Sequence, residues 1–204
     1  MRKLGAVRCG AIMLGTALLA SAGTAIAHAD EVVDEGDVEI NVEVTDRYPS
    51  GVLALSVAAD STVLTEIDSG DPLVREFTGA LPAVTVTDTR SVAPDVPWYV
   101  LGTAGDFIGA DSTITAEHLG WAPYLADDYG PSLEAGFDVA TVIDDPDSEG
   151  LGYADGELLY VNTDQLDTYD QGSWTASADL QLKVDATSVA PGAYTSVLTL
   201  SLFE

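Results

Sequence analysis

Apolar residues recur at every second position in several segments of this chain, which is the period of a β-strand with one buried face. Val38, Ile40, Val42 and Val44 alternate with polar residues in this way. The same alternation returns at Leu53, Leu55 and Val57, at Val84 and Val86, and from Trp174 to Val184. Apolar residues on both faces from Tyr194 to Phe203 predict a buried strand near the end of the chain.

Clusters of Gly, Pro, Asp and Ser separate these segments and predict turns. Examples are Tyr48-Pro49-Ser50-Gly51, Ser69-Gly70-Asp71-Pro72, Ala104-Gly105-Asp106, Asp145-Pro146-Asp147-Ser148-Glu149-Gly150 and Ala190-Pro191-Gly192. Many short strands at this spacing favour an all-β fold, a β-sandwich of short, mostly antiparallel strands. The segment from Gly152 to Asp170 is the least strand-like, and we expect a short helix or an ordered loop there.

The first 29 residues have the order of a secretory signal peptide. Positive charges at Arg2, Lys3 and Arg8 precede an apolar run that ends in the small residues Ala27 and Ala29. The alternative is a retained membrane anchor, since the run approaches the ~20 residues that cross a bilayer, but several glycines interrupt it. We therefore expect cleavage after residue 29, residues 30–204 as a single domain, no transmembrane segment after cleavage, and a secreted protein that is extracellular or associated with the cell wall.

The charge of the chain is strongly negative, with 34 acidic and seven basic residues and a formal net charge of −27. Removal of residues 1–29 takes away three basic residues and no acidic one, which leaves four cations and a formal charge of −30. Such a surface repels nucleic acid and anionic lipid. The only cysteine, Cys9, lies in the signal, so the domain has no disulfide and depends on its hydrophobic core.

Three local patterns follow one another in the second part of the domain. They are Thr85-Val86-Thr87-Asp88-Thr89-Arg90 with the nearby Pro97-Trp98-Tyr99-Val100, then Leu119-Gly120-Trp121-Ala122-Pro123, then Pro191-Gly192-Ala193-Tyr194-Thr195-Ser196-Val197-Leu198-Thr199-Leu200-Ser201-Leu202. In this order they resemble the WxL domain of Gram-positive cell-surface proteins, in the form found in actinobacterial secreted proteins. Val100 stands where the family has Leu, and Leu200 stands where it usually has a second Trp.

The resemblance implies a non-catalytic cell-surface protein that associates non-covalently with peptidoglycan in the wall or with other surface proteins. The candidate binding side chains on this interpretation are Trp98, Val100, Trp121, Tyr124, Leu200 and Leu202. The competing interpretation for the large side chains of the strands is core packing, because aromatic residues in a sandwich usually belong to its core. Trp121, in a Gly-Trp-Ala-Pro context, has the alternative of an exposed ring that stacks on a sugar.

Asp88 and Arg90 are two residues apart and share one face of a strand, so we expect Arg90 to pair with a carboxylate at the edge of the sheet. Asp145, Asp147 and Glu149 match the opening of a calcium loop, with Gly150 at the sixth position. The twelfth position is Gly156 instead of a bidentate Glu, so a solvated acidic turn is the preferred interpretation and no cofactor is expected, with calcium as the alternative.

Catalytic chemistry finds few candidates in this sequence. The mature chain has no cysteine and a single histidine, His118, with no Gly-x-Ser-x-Gly motif near it. Paired carboxylates that hydrolyse glycans are the alternative function, because acidic residues are abundant. The prediction is therefore a binding protein that is not an enzyme. The alternatives are a secreted glycan hydrolase and an assembly subunit whose exposed strand edge pairs with neighbours.

Overall fold

The computed structural model describes residues 51–90, 96–164 and 171–204, all of which belong to the part of the chain from Thr45 to Glu204. The predicted signal peptide and the predicted strand at Val38–Val44 lie outside the described residues. Within those residues the chain forms twelve strands and two 3₁₀ turns, Ala116–His118 and Gly150–Gly152. The strands are β1 (Leu53–Val57), β2 (Thr65–Ile67), β3 (Val74–Ala80), β4 (Val84–Asp88), β5 (Trp98–Ala104), β6 (Phe107–Ile108), β7 (Thr113–Ile114), β8 (Leu119–Leu125), β9 (Leu133–Ala135), β10 (Glu157–Asn162), β11 (Ser173–Asp185) and β12 (Leu198–Phe203).

The first sheet, sheet A, is built around the 13-residue strand β11. Strands β3 and β4 follow one another along one edge of β11, and β8 pairs with the other edge. Between β3 and β4, residues 81–83 face only Ser177 and Ala178, so this break is a β-bulge. Pro82 has no backbone N–H, so its place in the bulge costs the sheet no hydrogen bond. Leu81 remains attached to β11, because its N–H donates to Ala178 O at 2.9 Å and its carbonyl accepts a hydrogen bond from Ser177 Oγ at 2.6 Å.

Beyond β3 and β4, a long interrupted hairpin brings β1 and β2 to the outside of sheet A. Strand β1 pairs with β4 and β2 pairs with β3, both antiparallel. The connection from β2 to β3 contains the predicted turn: Gly70 has a positive φ of 76°, and its N–H donates to Asp68 Oδ1 at 3.0 Å. The turn prediction at Ser69-Gly70-Asp71-Pro72 is thus confirmed.

The second sheet, sheet B, has the antiparallel order β12-β5-β10-β9, and β6 and β7 form a separate small hairpin. Strand β10 lies inside the segment Gly152–Asp170, so the prediction of a short helix or loop is wrong for residues 157–162. The reason is a bulge between Leu158 and Tyr160, which leaves the consecutive residues Leu159 and Tyr160 both fully buried. That irregularity removes the two-residue period that would have revealed the strand.

The two sheets pack face to face through large aromatic side chains. The ring of Trp98 in sheet B lies 5.5 Å from that of Trp174 in sheet A and 5.3 Å from the edge-on ring of Tyr160. Tyr160 Oη lies 3.3 Å from the carbonyl oxygens of Val84 and Trp174 on the opposite sheet and donates to them. The all-β sandwich is therefore confirmed, and so is core packing for Trp98 and Trp174.

The prediction of a buried strand from Tyr194 to Phe203 is wrong in two respects. Strand β12 begins only at Leu198, with an isolated bridge between Thr195 and Ile108 before it. It is also the edge of sheet B and half-exposed, because β5 is its one partner among the described residues. No helix in the described part of the chain is long and apolar enough to cross a membrane.

Candidate functional site

Three of the candidate binding residues lie in the core. Trp98 and Val100 are fully buried and Trp121 is 2% exposed. Trp121 lies in β8, opposite Leu180, and not in an exposed loop, so the sugar-stacking alternative for its ring is wrong. Gly102 makes room for this ring, because a Cβ at Gly102 would lie 2.5 Å from Trp121 Cη2. None of these three side chains presents a face to a ligand in this structure.

The other three candidates are partly accessible but lie on different surfaces. Tyr124, 44% exposed, is on the outer face of sheet A, beside Ser177. Leu200 and Leu202 are half-buried on the inner face of β12, opposite Gly102 and Val100. The structure therefore brings the two leucines together and leaves Tyr124 apart from them. Their part in binding stays a prediction.

An open groove of about 390 Å³ lies between the start of β1 in sheet A and the end of β12 in sheet B. We call it the β1–β12 groove, and it is lined by Leu53, Arg90, Leu202, Phe203 and Glu204. Its apolar part comes mainly from the two leucines, and the larger part of its surface is polar. Its charged end is an ion-pair network around Arg90.

Arg90 joins the end of β4 to the end of β12. Its Nε and Nη2 donate to the two carboxylate oxygens of Asp88 at 3.0 and 2.9 Å, and its Nη1 donates to Glu204. The side chain of Asp88 is fully buried and that of Arg90 is 13% exposed. The expected pairing of Arg90 with a carboxylate is confirmed, and it links the two sheets at one end of the groove.

The two strands that border this groove carry no charged side chain between Leu53 and Val57 or between Leu198 and Phe203. No described residue pairs with the outer edge of either strand. The remaining edges are different: Val139 bridges to Trp121 and covers β8, and β9 is a three-residue strand with the exposed Glu134 at its centre. Charges, short strands and covering loops are the usual protections of a sheet edge. Strands β1 and β12 lack them.

Sequence reasoning missed an aromatic pair beside the groove. Tyr99 and Phe203 stack on the outer face of sheet B, with ring centroids 5.2 Å apart and planes 15° apart. The two-residue period of a strand already places Tyr99 on the face opposite Trp98, so the sequence indicated the outward position of Tyr99. Its partner was not identifiable, because the register that sets Phe203 opposite Tyr99 joins residues more than 100 positions apart.

A second depression, of about 320 Å³, contains the group of carboxylates that best matches the hydrolase alternative. Asp106, Glu117 and Glu149 contribute to its lining. Asp106 Oδ1 accepts the N–H of Ala116 at 2.9 Å, and Glu117 accepts the hydroxyl of Thr115 at 3.0 Å. Two of the three carboxylates are thus already hydrogen-bonded to the 3₁₀ turn Ala116–His118 or to the residue before it. Outside the lining of this depression, partial burial raises the pKa of Glu157, and the negative charge of Glu149 raises it further.

The acidic segment proposed for calcium forms a turn of exposed carboxylates. Asp145 Oδ1 accepts the N–H of Asp147 at 3.1 Å, and Ser148 Oγ donates to Ala140 O at 2.7 Å. Asp145, Asp147 and Glu149 are all exposed. Within the described ranges, no group of three His, Cys, Asp or Glu side chains is placed to hold a metal ion. Calcium binding stays an untested alternative to the solvated acidic turn.

Comparison with known proteins adds a weak structural similarity. No family model matches the chain, and no curated protein matches it significantly. The similarity is to a chain in a solved structure of a chaperone–tip adhesin complex of CFA/I fimbriae. The superposition covers 74% of the present chain and 40% of the adhesin-complex chain, with 11% sequence identity and a TM-score of 0.43. The chain therefore spans less than half of that protein, and the overlap is too weak to support a functional inference.

Proposed function

We propose that this chain is a non-catalytic, secreted protein of the Gram-positive cell surface that acts by non-covalent binding. The observation that carries the proposal is the β1–β12 groove, which is open, has both apolar and polar parts, and contains the mutually paired charges of Arg90 and Glu204. An open surface of this kind supplies contact area and hydrogen-bonding groups, and it offers no nucleophile or base in position to react. The signal-like first 29 residues agree with a location outside the membrane.

The bound structure is either peptidoglycan in the wall or another surface protein. The ordered patterns that resemble the WxL domain imply both. Stacked aromatic rings on a sheet face suit a sugar ring, which the pair Tyr99 and Phe203 would contact. A free strand edge suits a polypeptide. Both targets require that the protein stays at the cell surface after export.

Fractionation of expressing cells, followed by sedimentation of the purified protein with isolated walls, tests the proposal. We expect the mature protein in the wall fraction, and Phe203→Ala to weaken binding to purified walls if peptidoglycan is the target. The matched control is Phe137→Ala, because Phe137 is 91% exposed in the loop after β9, away from the stacked pair. A protein found wholly in the medium, which binds neither walls nor stripped cells, contradicts the proposal.

Glycan hydrolysis is the second candidate, favoured by the three carboxylates that line the second depression. It requires one carboxyl group to act as an acid and another as a base or nucleophile. If it is correct, the purified protein releases reducing sugar from walls, and Glu117→Gln and Glu149→Gln each lower the rate by at least about a hundredfold. Wall binding without release of sugar leaves the non-catalytic proposal in place.

A further inference from the structure

The outer edge of β12 is a six-residue row of backbone groups that no described residue covers. Its sequence, Leu-Thr-Leu-Ser-Leu-Phe, has neither proline nor charge. A long, uncharged, regular edge of this kind is the arrangement that pairs most readily with another strand. The β5 pairing is regular over all six residues, so β12 presents an uninterrupted template for a further strand.

Beside this edge the interior of the sandwich is open. Leu53 and Leu55 of β1, and Leu200 and Leu202 of β12, face inward and pack against the core but remain half-exposed. In a closed sandwich, inward side chains of this size are covered by the next strand. The β1–β12 groove lies at one end of this opening, beside Leu53 and Leu202, and an inward side chain of one added strand would enter it there.

We propose that the β12 edge and the β1–β12 groove accept a β-strand from a separate surface protein. Aliphatic side chains at every second position of that strand would face this opening and the groove at its end, and its backbone would add to sheet B beside β12. This proposal rests on the proposed function and specifies its partner as a polypeptide.

Charge identifies the chemistry of the partner. The mature domain has 34 carboxylates and four cations, so a second copy of this chain brings the same negative field and is repelled. The two edge strands themselves are neutral. The strand that fits is therefore uncharged in its central residues and flanked by lysine or arginine, which the acidic surroundings attract.

A synthetic peptide tests this pairing on the full chain. The probe is a fluorescent 11-residue peptide with alternating valine and threonine at its centre and two lysines at each end. Its anisotropy reports binding, and hydrogen exchange reports where it binds. We expect saturable binding with slower exchange of the amides of residues 198–203. The matched peptide, N-methylated on the backbone edge that faces β12, should bind at least tenfold more weakly, because its N–H donors are removed.

Two protein variants locate the site. Leu202→Lys places a charge in the groove, and we expect at least tenfold weaker peptide binding. Phe137→Lys adds the same charge at an exposed position outside β12 and outside the groove, and it should retain the affinity of the unmodified protein. Leu202→Ala is the milder second variant in case Leu202→Lys does not fold, which a melting curve reveals. Weaker binding by both Leu202 variants and not by Phe137→Lys supports the groove.

Several results would overturn the proposal. Equal binding of the N-methylated peptide shows a mode other than strand addition, and equal binding by the Leu202 variants places it elsewhere. No binding at about 1 mM peptide excludes an accessible strand site. Peptide binding that appears only after Ile40→Lys indicates that the chain's own segment Val38–Val44 is the occupant, and a dimer in light scattering indicates a second copy. Failure of wall retention alone leaves peptide binding intact, so the two proposals fail separately.

Discussion

At the scale of single residues, the interior of this sandwich depends on a glycine that faces a tryptophan. Gly102 in β5 is buried, and a Cβ there would meet Trp121 at 2.5 Å from Cη2 and 2.8 Å from Cζ3. The indole is itself 2% exposed and has little space to move into. The contact joins β8 of sheet A to β5 of sheet B, so its disturbance affects both sheets.

We predict that Gly102→Ala lowers the free energy of unfolding by about 1–3 kcal/mol, the usual cost of overpacking a core. Denaturant unfolding followed by tryptophan fluorescence measures the change. Gly105→Ala is the control, because the nearest atom to a Cβ there is Val197 O at 3.8 Å. An equal loss in both variants would mean that backbone freedom, and not the contact with Trp121, sets the cost.

A second residue-scale prediction concerns acid stability. Partial burial raises the pKa of Asp144, but hydrogen bonds from Lys183 and Thr141 outweigh it and hold this pKa below its usual value. A carboxyl with a lowered folded-state pKa stabilises the fold above its unfolded pKa, and this stabilisation is lost as the pH falls through the folded pKa.

We therefore predict that Lys183→Met reduces stability by roughly 0.5–1 kcal/mol at pH 7, because the pair is partly exposed. The difference from the unmodified protein should shrink as the pH falls below about 4. Urea unfolding at a series of pH values measures it, with Lys183→Arg as the charge-conserving control. A difference that is constant with pH would assign the loss to packing of the lysine stem.

At the scale of strands, the end of β4 is held by an ion pair with one fully buried partner. Arg90 pairs with the buried carboxylate of Asp88 and also with Glu204 at the end of β12. Removing Arg90 leaves the buried carboxylate of Asp88 without its main counter-charge. The free energy lost in this way is larger than the net free energy that an intact buried ion pair contributes.

Arg90→Met is predicted to lower the free energy of unfolding by about 3 kcal/mol. The double variant Asp88→Asn, Arg90→Met should lose less, since no charge is then left in the interior. Calorimetric or urea unfolding of the single and double variants gives the comparison. If the double variant is as unstable as Arg90→Met, the link from β4 to β12 matters more than the buried charge.

At the scale of the whole molecule, like charges dominate. The three basic residues of the described ranges, Arg75, Arg90 and Lys183, each pair with a carboxylate, so they offset few of the acidic side chains. Crowding the remaining charges on folding destabilises the compact state at low ionic strength. Salt shortens the Debye length from about 30 Å at 0.01 M to about 10 Å at 0.1 M and weakens this repulsion.

We predict that sodium chloride raises the melting temperature gradually over this range. If Asp145, Asp147 and Glu149 bind calcium, millimolar calcium should raise it further than magnesium at matched ionic strength, and Asp147→Asn should remove the excess. Differential scanning calorimetry decides between general screening, which we expect, and a specific site. A melting temperature that does not respond to salt would contradict the repulsion argument.

The sequence by itself determined the fold class and several strands of this protein. Alternation located β1, β4 and β11, and the spacing placed Asp88 and Arg90 on one face, where Arg90 was expected to pair with a carboxylate, because side-chain direction in a strand is a local property with a period of two. Only the tertiary structure decided that β10 exists despite its bulge, that Trp121 is buried against Gly102, and that β12 is an edge. Whether a strand is central or an edge depends on partners far away in the chain, and a local pattern does not contain that information.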